Sequence, residues 1–247
     1  MDIRQYFDST YLKTSDQAGI SEESNLTVVR DAISEAIEEH YKLVMIRPEM
    51  VPIAYKMILE ANSKVNVGTV IDFPLGAGGL EKKLSEARQA IADGADDLDF
   101  VLDYEGFKKG NSVSVKNEVL ECTRLGLEHG KTVKWIIEIA ALDDHQIVQL
   151  CALVKNIVLS NFDERSYSHV FLKSSTGFYK TRDGIPNGAT ISGIKLMLEN
   201  SYPLPVKAAG GVRTLEEARQ MIALGVKRIG TSSAKAIVTG ATTEGGY

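Results

Sequence analysis

The sequence predicts a single closed (β/α)8 barrel, and three observations carry that prediction. Eight short β-like runs alternate with amphipathic helical stretches almost to the end of the 247-residue chain, the size range of such barrels. Runs such as Trp135-Ile136-Ile137 lack polar alternation, as expected of parallel strands covered on both faces. No linker, low-complexity block or composition shift divides the chain, so two small domains or an open doubly wound sheet fit less well.

The first run, 5–12, is aromatic and β-branched but the weakest of the eight. An N-terminal helix over 26–40 precedes the apolar run 42–46, and Pro48 suits the first turn of a helix over 48–62. Runs 65–73 and 97–102 flank a helix over 80–93, and a helix over 113–129 leads into run 133–139. A helix over 143–160 precedes run 169–174, and a helix over 190–200, stopped at Asn200, precedes run 205–209. Thr214 with Glu216 and Glu217 starts a helix over 214–224, Gly225 ends it, and run 228–230 follows. Residues 239–247 are small, polar and glycine-rich, so a mobile tail is expected after a barrel domain of residues 1–238.

Composition narrows the functional classes. A net charge of −5 argues against a nucleic-acid surface while leaving room for local basic patches. Cys122 and Cys151 are too few for a disulfide scaffold and match no zinc spacing. The start, Met1-Asp2-Ile3-Arg4-Gln5, has no apolar signal core, and no apolar run reaches membrane-spanning length. The expectation is a cytoplasmic protein. The four histidines, His40, His129, His145 and His169, share no ligand spacing, so no metal is expected. Ser232 and Ser233 have no evident histidine–acid partner for nucleophilic work.

Two lysines direct the chemical reading. Lys173 ends the run Phe171-Leu172-Lys173 and Lys207 lies in Pro205-Val206-Lys207-Ala208-Ala209, each opening into small residues and glycine. A lysine near the end of an apolar strand is costly to bury. On neighbouring strands, the charge on one lowers the pKa of the other, and the free amine can attack a carbonyl to form a Schiff base. The alternative is that both stems pack along the strand ends with their heads in water.

Active sites of such barrels lie at the carboxyl ends of the strands, with phosphate often bound after strands seven and eight. Gly210-Gly211 follows Lys207, and Gly230-Thr231-Ser232-Ser233 precedes Ala234-Lys235-Ala236, which can start a short helix. Glycine lets backbone N–H groups approach an anion closely. Gly177 is a candidate third wall, with Thr176 beside it.

Alternation along Asp97-Leu98-Asp99-Phe100-Val101-Leu102-Asp103 puts the three aspartates on one face. A carboxylate inside a barrel needs a partner, so Asp99 is expected against the two lysines as a proton shuttle, and Asp97 on the rim in water. Glu138 and Lys134 are expected to form a structural ion pair inside the barrel.

These residues resemble the deoxyribose-phosphate aldolase family along nearly the whole chain. The resemblance rests on Phe7-Asp8-Ser9-Thr10-Tyr11-Leu12-Lys13, Thr69-Val70-Ile71-Asp72-Phe73-Pro74-Leu75-Gly76 and Lys83-Leu84-Ser85-Glu86-Ala87. It continues in Gly94-Ala95-Asp96-Asp97-Leu98-Asp99, Lys173-Ser174-Ser175-Thr176-Gly177 and Lys207-Ala208-Ala209-Gly210-Gly211. It implies Lys173 as the imine-forming amine, Lys207 as the charge that perturbs it, and Asp99 as proton donor and acceptor. Gly177, Gly210, Gly211, Gly230, Ser232 and Ser233 would surround the phosphate, and Tyr247 would assist proton transfer at the enamine carbon. The implied reaction is reversible cleavage of 2-deoxy-D-ribose 5-phosphate to acetaldehyde and glyceraldehyde 3-phosphate, with no metal and no organic cofactor.

The sequence departs from the family pattern at several positions. Ser9 replaces a usual histidine, Met45 a frequent cysteine, and Arg47 an asparagine or tyrosine; Asp72 and Asp103 replace smaller or neutral residues. Arg47, Asp72 and Asp103 end neighbouring strands, so they are expected to form one charged specificity cluster on the rim, with Arg47 between the acids. The segment 178–187 is longer than usual and brings Lys180 and Arg182 as further phosphate candidates. Two other readings stay open: a lysine-dependent aldolase with a different phosphorylated or acidic substrate, and a phosphate-sugar binding or isomerising barrel whose lysines only neutralise anions. The expected partners are small phosphorylated sugars and aldehydes and a second copy in a homodimer, with neither nucleic acid nor membrane.

Overall fold

Eight parallel strands close on themselves in sequential order, the last pairing with the first. The computed structural model describes residues 2–182 and 184–240. The strands are β1 Phe7–Thr10, β2 Leu43–Ile46, β3 Asn66–Ile71, β4 Asp97–Val101, β5 Thr132–Ile136, β6 Val170–Lys173, β7 Val206–Ala209 and β8 Arg228–Thr231. All eight sequence-predicted runs are strands. Of the predicted runs that overshoot at their carboxyl ends, 65–73 and 133–139 do so for one shared reason. Asp72 and Glu138 take positive φ, 53° and 55°, which no strand continues through.

The principal crossover helices are α2 Glu22–Glu38, α3 Val51–Glu60, α4 Gly79–Ala92, α6 Ser112–Glu128, α7 Asp144–Asn161, α8 Ile191–Ser201 and α9 Leu215–Leu224. The helix read as N-terminal is α2, the crossover from β1 to β2. Two short helices, α1 Ser15–Ala18 and α5 Tyr104–Lys108, escaped the sequence reading because one turn shows no periodicity. Their signals are caps: Thr14 and Gln17 form a capping box, and Asp103 accepts from the Gly106 N–H at 2.8 Å. The last helix, α10 Ala234–Thr239, follows β8 where a short helix was anticipated. The remainder of the expected tail, residues 241–247, lies outside the described residues.

The outer faces of the strands pack on the helices in one large apolar cluster. Trp135 shows the logic: fully buried, it stacks on Phe100 at 5.1 Å and donates its indole N–H to Thr123 of α6 at 3.0 Å. The inner faces differ from one side of the barrel to the other. Leu12, Leu43, Met45 and Val70 make a small apolar cluster capped by Phe73 and Phe178. The rest of the interior carries charge. Register explains this division, since Asp99 stands opposite Lys134, Lys173 opposite Lys207, and Lys207 opposite Arg228.

Candidate active site

Asp99 is the centre of the charged half. It is fully buried in the middle of β4, and its two oxygens receive three lysines. Oδ2 takes Lys173 Nζ at 2.9 Å and Lys207 Nζ at 2.8 Å, while Oδ1 takes Lys134 Nζ at 2.7 Å. Two further acids complete the cluster. Asp8 from β1 pairs with Lys207 at 2.6 Å and with the Arg228 guanidinium at 2.5 Å. Asp97 pairs with Lys134 at 2.7 Å and with Arg228 at 3.3 Å.

Three carboxylates therefore face four cations within one buried network. Lys207 and Arg228 each touch two acids and Lys134 three, but Lys173 touches only Asp99. Charge balance makes Lys173 the surplus cation and the one most easily neutralised. Its ammonium falls to about 8: burial is the largest cause, Asp99 opposes it, and Lys207 and Lys134 add repulsion. The effect expected from Lys207 is present, but second to burial among the lowering causes. Burial would raise the Asp99 carboxyl, yet Lys134, Lys173 and Lys207 together hold it well below the usual carboxylate range. Burial also opposes the charge of Lys134, but Asp97, Asp99 and Asp8 outweigh it and push that ammonium up.

Two expectations are corrected here. Asp97 is not a rim residue in water but 1% exposed and doubly paired. Lys134 and Glu138 do not pair, because Glu138 lies beyond the end of β5 where its left-handed backbone turns the chain. Its carboxylate instead accepts from Ser175 Oγ at 2.8 Å, from the Thr176 N–H at 3.1 Å and from the Thr176 hydroxyl.

Beside the lysines a pocket opens between the loops after β7 and β8, lined by Gly210, Gly211, Gly230, Ser232, Ser233 and Asn187 among others. Gly210 and Gly211 have φ of 79° and 84°, which aims successive backbone groups into a concave turn suited to an anion. A side chain at Gly188 would meet the Gly210 carbonyl at 2.5 Å, so glycine is needed where the long loop docks on this turn. Thr176 and Gly177 do not line this pocket. The Thr176 hydroxyl is engaged with Glu138, and the Gly177 N–H donates to Ser175 Oγ at 2.9 Å. They join the pocket through Asn187, whose side-chain amide donates to the Gly177 carbonyl at 3.2 Å. Lys180 and Arg182 are exposed.

The expected rim cluster does not form. Arg47 Nε donates to the Leu12 carbonyl at 2.7 Å, and its guanidinium lies 5.2 Å from the centre of the Phe73 ring. Asp72 is matched instead by Lys82 at 2.8 Å and by the fully buried Lys83 at 3.0 Å, which also holds Glu118 at 2.8 Å. Asp103 caps α5. Each of the three charges met a nearer partner than the other two. Met45 sits fully buried in the apolar wall. Tyr247 lies outside the described residues.

Sequence reasoning missed Asp8, Arg228, Asn187 and the true partners of Lys134. Period-two alternation gave a usable signal for Asp8 and Arg228, since both are charges within strand runs; Asn187 carried none. Among the described residues, no group of histidine, cysteine and acidic side chains is arranged to hold a metal ion, and no helix is long and apolar enough to cross a membrane.

Comparison with known proteins agrees along the full length. The chain is 37% identical over 244 residues to the deoxyribose-phosphate aldolase of Thermococcus kodakarensis, covering 98% of each. It is 36% identical over 248 residues to that of Streptococcus uberis, covering 100% of each. Among solved structures, it superposes with a TM-score of 0.77 on the tetrameric deoxyribose phosphate aldolase of Aeropyrum pernix, at 26% identity, covering 96% of this chain and 89% of that one. An aldolase designated QR15 gives a TM-score of 0.78 at 30% identity, covering 97% and 95%. No protein-family model matches the chain.

Proposed function

This chain belongs to the deoxyribose-phosphate aldolase family, and we propose that it works through an imine on Lys173. It is an aldolase, a carbon–carbon lyase that reversibly cleaves 2-deoxy-D-ribose 5-phosphate to acetaldehyde and D-glyceraldehyde 3-phosphate. The observation that carries the imine mechanism is the charge imbalance that leaves Lys173 as the easily neutralised amine.

In the cleavage direction the free Lys173 amine attacks C1 of the open-chain sugar, and loss of water gives an iminium. The C3 hydroxyl then gives up its proton and the C2–C3 bond breaks, its electrons forming the enamine as the iminium nitrogen is neutralised. Glyceraldehyde 3-phosphate leaves. Protonation of the enamine carbon and hydrolysis return acetaldehyde and the amine. Asp99 starts ionised and so acts first as proton acceptor. Asp99 then returns that proton to the departing water, while Lys207, on the same carboxylate oxygen as Lys173, supplies the charge that disfavours the Lys173 ammonium. The glycine–serine pocket receives the phosphate, and the wall of Leu12, Met45 and Val70 receives the two-carbon unit.

Borohydride reduction with acetaldehyde tests this reading. The expected result is an ethyl adduct on Lys173, and turnover that falls by several orders of magnitude in Lys173→Arg, as when a covalent nucleophile is lost. Turnover that survives in Lys173→Arg refutes the imine. The family resemblance gives Tyr247 the proton transfer at the enamine carbon; Tyr247→Phe is then expected to slow turnover on the order of 10²-fold, the range of a lost general acid. Our proposal extends to a homodimer and to a cytoplasmic setting, the latter favoured by two free cysteines.

A further inference from the structure

The reactive lysine is held by a part of the molecule that the reaction itself does not use. Residues 173–176 run out of β6 into the mouth of the barrel, and three consecutive residues past β5 grip all four. The Ile137 N–H donates to the Lys173 carbonyl at 3.0 Å and the Ile139 N–H to the Ser174 carbonyl at 2.8 Å. Between them, the Glu138 carboxylate accepts from Ser175 Oγ, from the Thr176 N–H and from the Thr176 hydroxyl.

Glu138 makes this grip at a conformational cost. Its φ of 55° and ψ of 65° are left-handed, a strained backbone that persists only where the surroundings over-determine it. The residue is 1% exposed, so its carboxylate depends on those three donors for hydrogen bonds. The same grip extends to the anion pocket. Ser175 Oγ lies 2.7 Å from the Asn187 carbonyl, the Asn187 amide binds the Gly177 carbonyl, and the Ala189 N–H donates to the Gly210 carbonyl at 2.9 Å.

We propose that Glu138 is a positioning residue that holds the Lys173 amine and the anion pocket in one register, acting through Ser175 and Thr176. This rests on the imine reading of Lys173. Glu138 touches no substrate and transfers no proton in the reaction. The titratable groups that face it are Lys173 and Tyr104, while Lys173 also faces Asp99, Lys207 and Lys134. Its negative charge favours the ammonium form of Lys173, so removing it favours the free amine.

Glu138→Gln keeps the shape but removes the charge and replaces one of the two acceptor oxygens facing Ser175 and Thr176 with a donor. Glu138→Asp keeps the charge but shortens the reach. The experiment measures borohydride trapping of acetaldehyde against pH, inhibition by inorganic phosphate, and thermal melting to normalise to folded enzyme. For Glu138→Gln we expect trapping slower by about tenfold or more, since an ångström of misplacement costs on the order of 10²-fold. Its acid limb should move to lower pH, and inhibition by phosphate should weaken. For Glu138→Asp, trapping should also slow while the acid limb stays at the wild-type pH, which gives the readout should the glutamine variant not fold. Wild-type trapping per folded enzyme in either variant overturns the proposal. A wild-type enzyme that traps no acetaldehyde refutes the imine reading and this proposal with it.

Discussion

At Lys173 a single ion-pair partner decides reactivity. Lys134 and Lys207 are as deeply buried, but Lys134 touches three carboxylates and Lys207 two. For Lys173, one carboxylate does not offset burial and two neighbouring cations, and the amine is released at about pH 8. The rate of imine trapping should therefore rise with pH through a midpoint near 8, read from borohydride-quenched time courses with acetaldehyde. Lys134 predicts the opposite kind of result. Lys134→Met removes one buried cation from both Asp97 and Asp99, leaving Asp97 with Arg228 alone, and breaking such a buried pair costs about 3–5 kcal/mol. Urea denaturation should show that loss as a lower midpoint with little change in slope.

Among the elements, the loops at the barrel mouth were legible in location but not in detail. Strand runs and crossover helices follow from hydrophobic periodicity, which the sequence displays directly. The loops depend on which of several polar partners lies nearest, and no periodicity encodes that. Arg47, Asp72 and Asp103 show this well: all three end neighbouring strands, yet they separate into a loop brace, a buried latch with Lys83, and a helix cap. Arg47→Ala should leave the Leu12 carbonyl without its donor and cost about 1–3 kcal/mol in thermal or urea unfolding.

The charged interior sets the acid stability of the whole molecule. Burial raises the Asp8 carboxyl, but Arg228, Lys207 and Lys134 outweigh it and bring it from 3.8 down to about 2. A carboxyl lowered in the folded state stabilises fully above its unfolded value and loses that contribution as pH falls through the folded one. The window therefore lies between 3.8 and about 2, and the amount is on the order of 2 kcal/mol for this residue. Asp99, held well below the usual carboxylate range by Lys134, Lys173 and Lys207, adds to the loss at acid pH. Melting temperatures measured across that window should fall steeply. An Asp8→Asn variant should show a shallower fall.

The sequence by itself determined the eight strands, the seven long crossovers, the meeting of Lys173, Lys207 and Asp99, and the glycine–serine pocket after β7 and β8. Each follows from a local or periodic rule: alternation assigns a face, parallel order assigns neighbours, and glycine assigns a turn. Only the tertiary structure decided how the charges were shared. Asp97 looked solvated and Lys134 looked paired with Glu138 until the closed barrel set Asp97, Asp99 and Asp8 around Lys134 and Arg228 beside Asp97. Pairing among buried charges depends on three-dimensional distance across the barrel, and closure places Asp8 and Arg228, 220 residues apart, in direct contact.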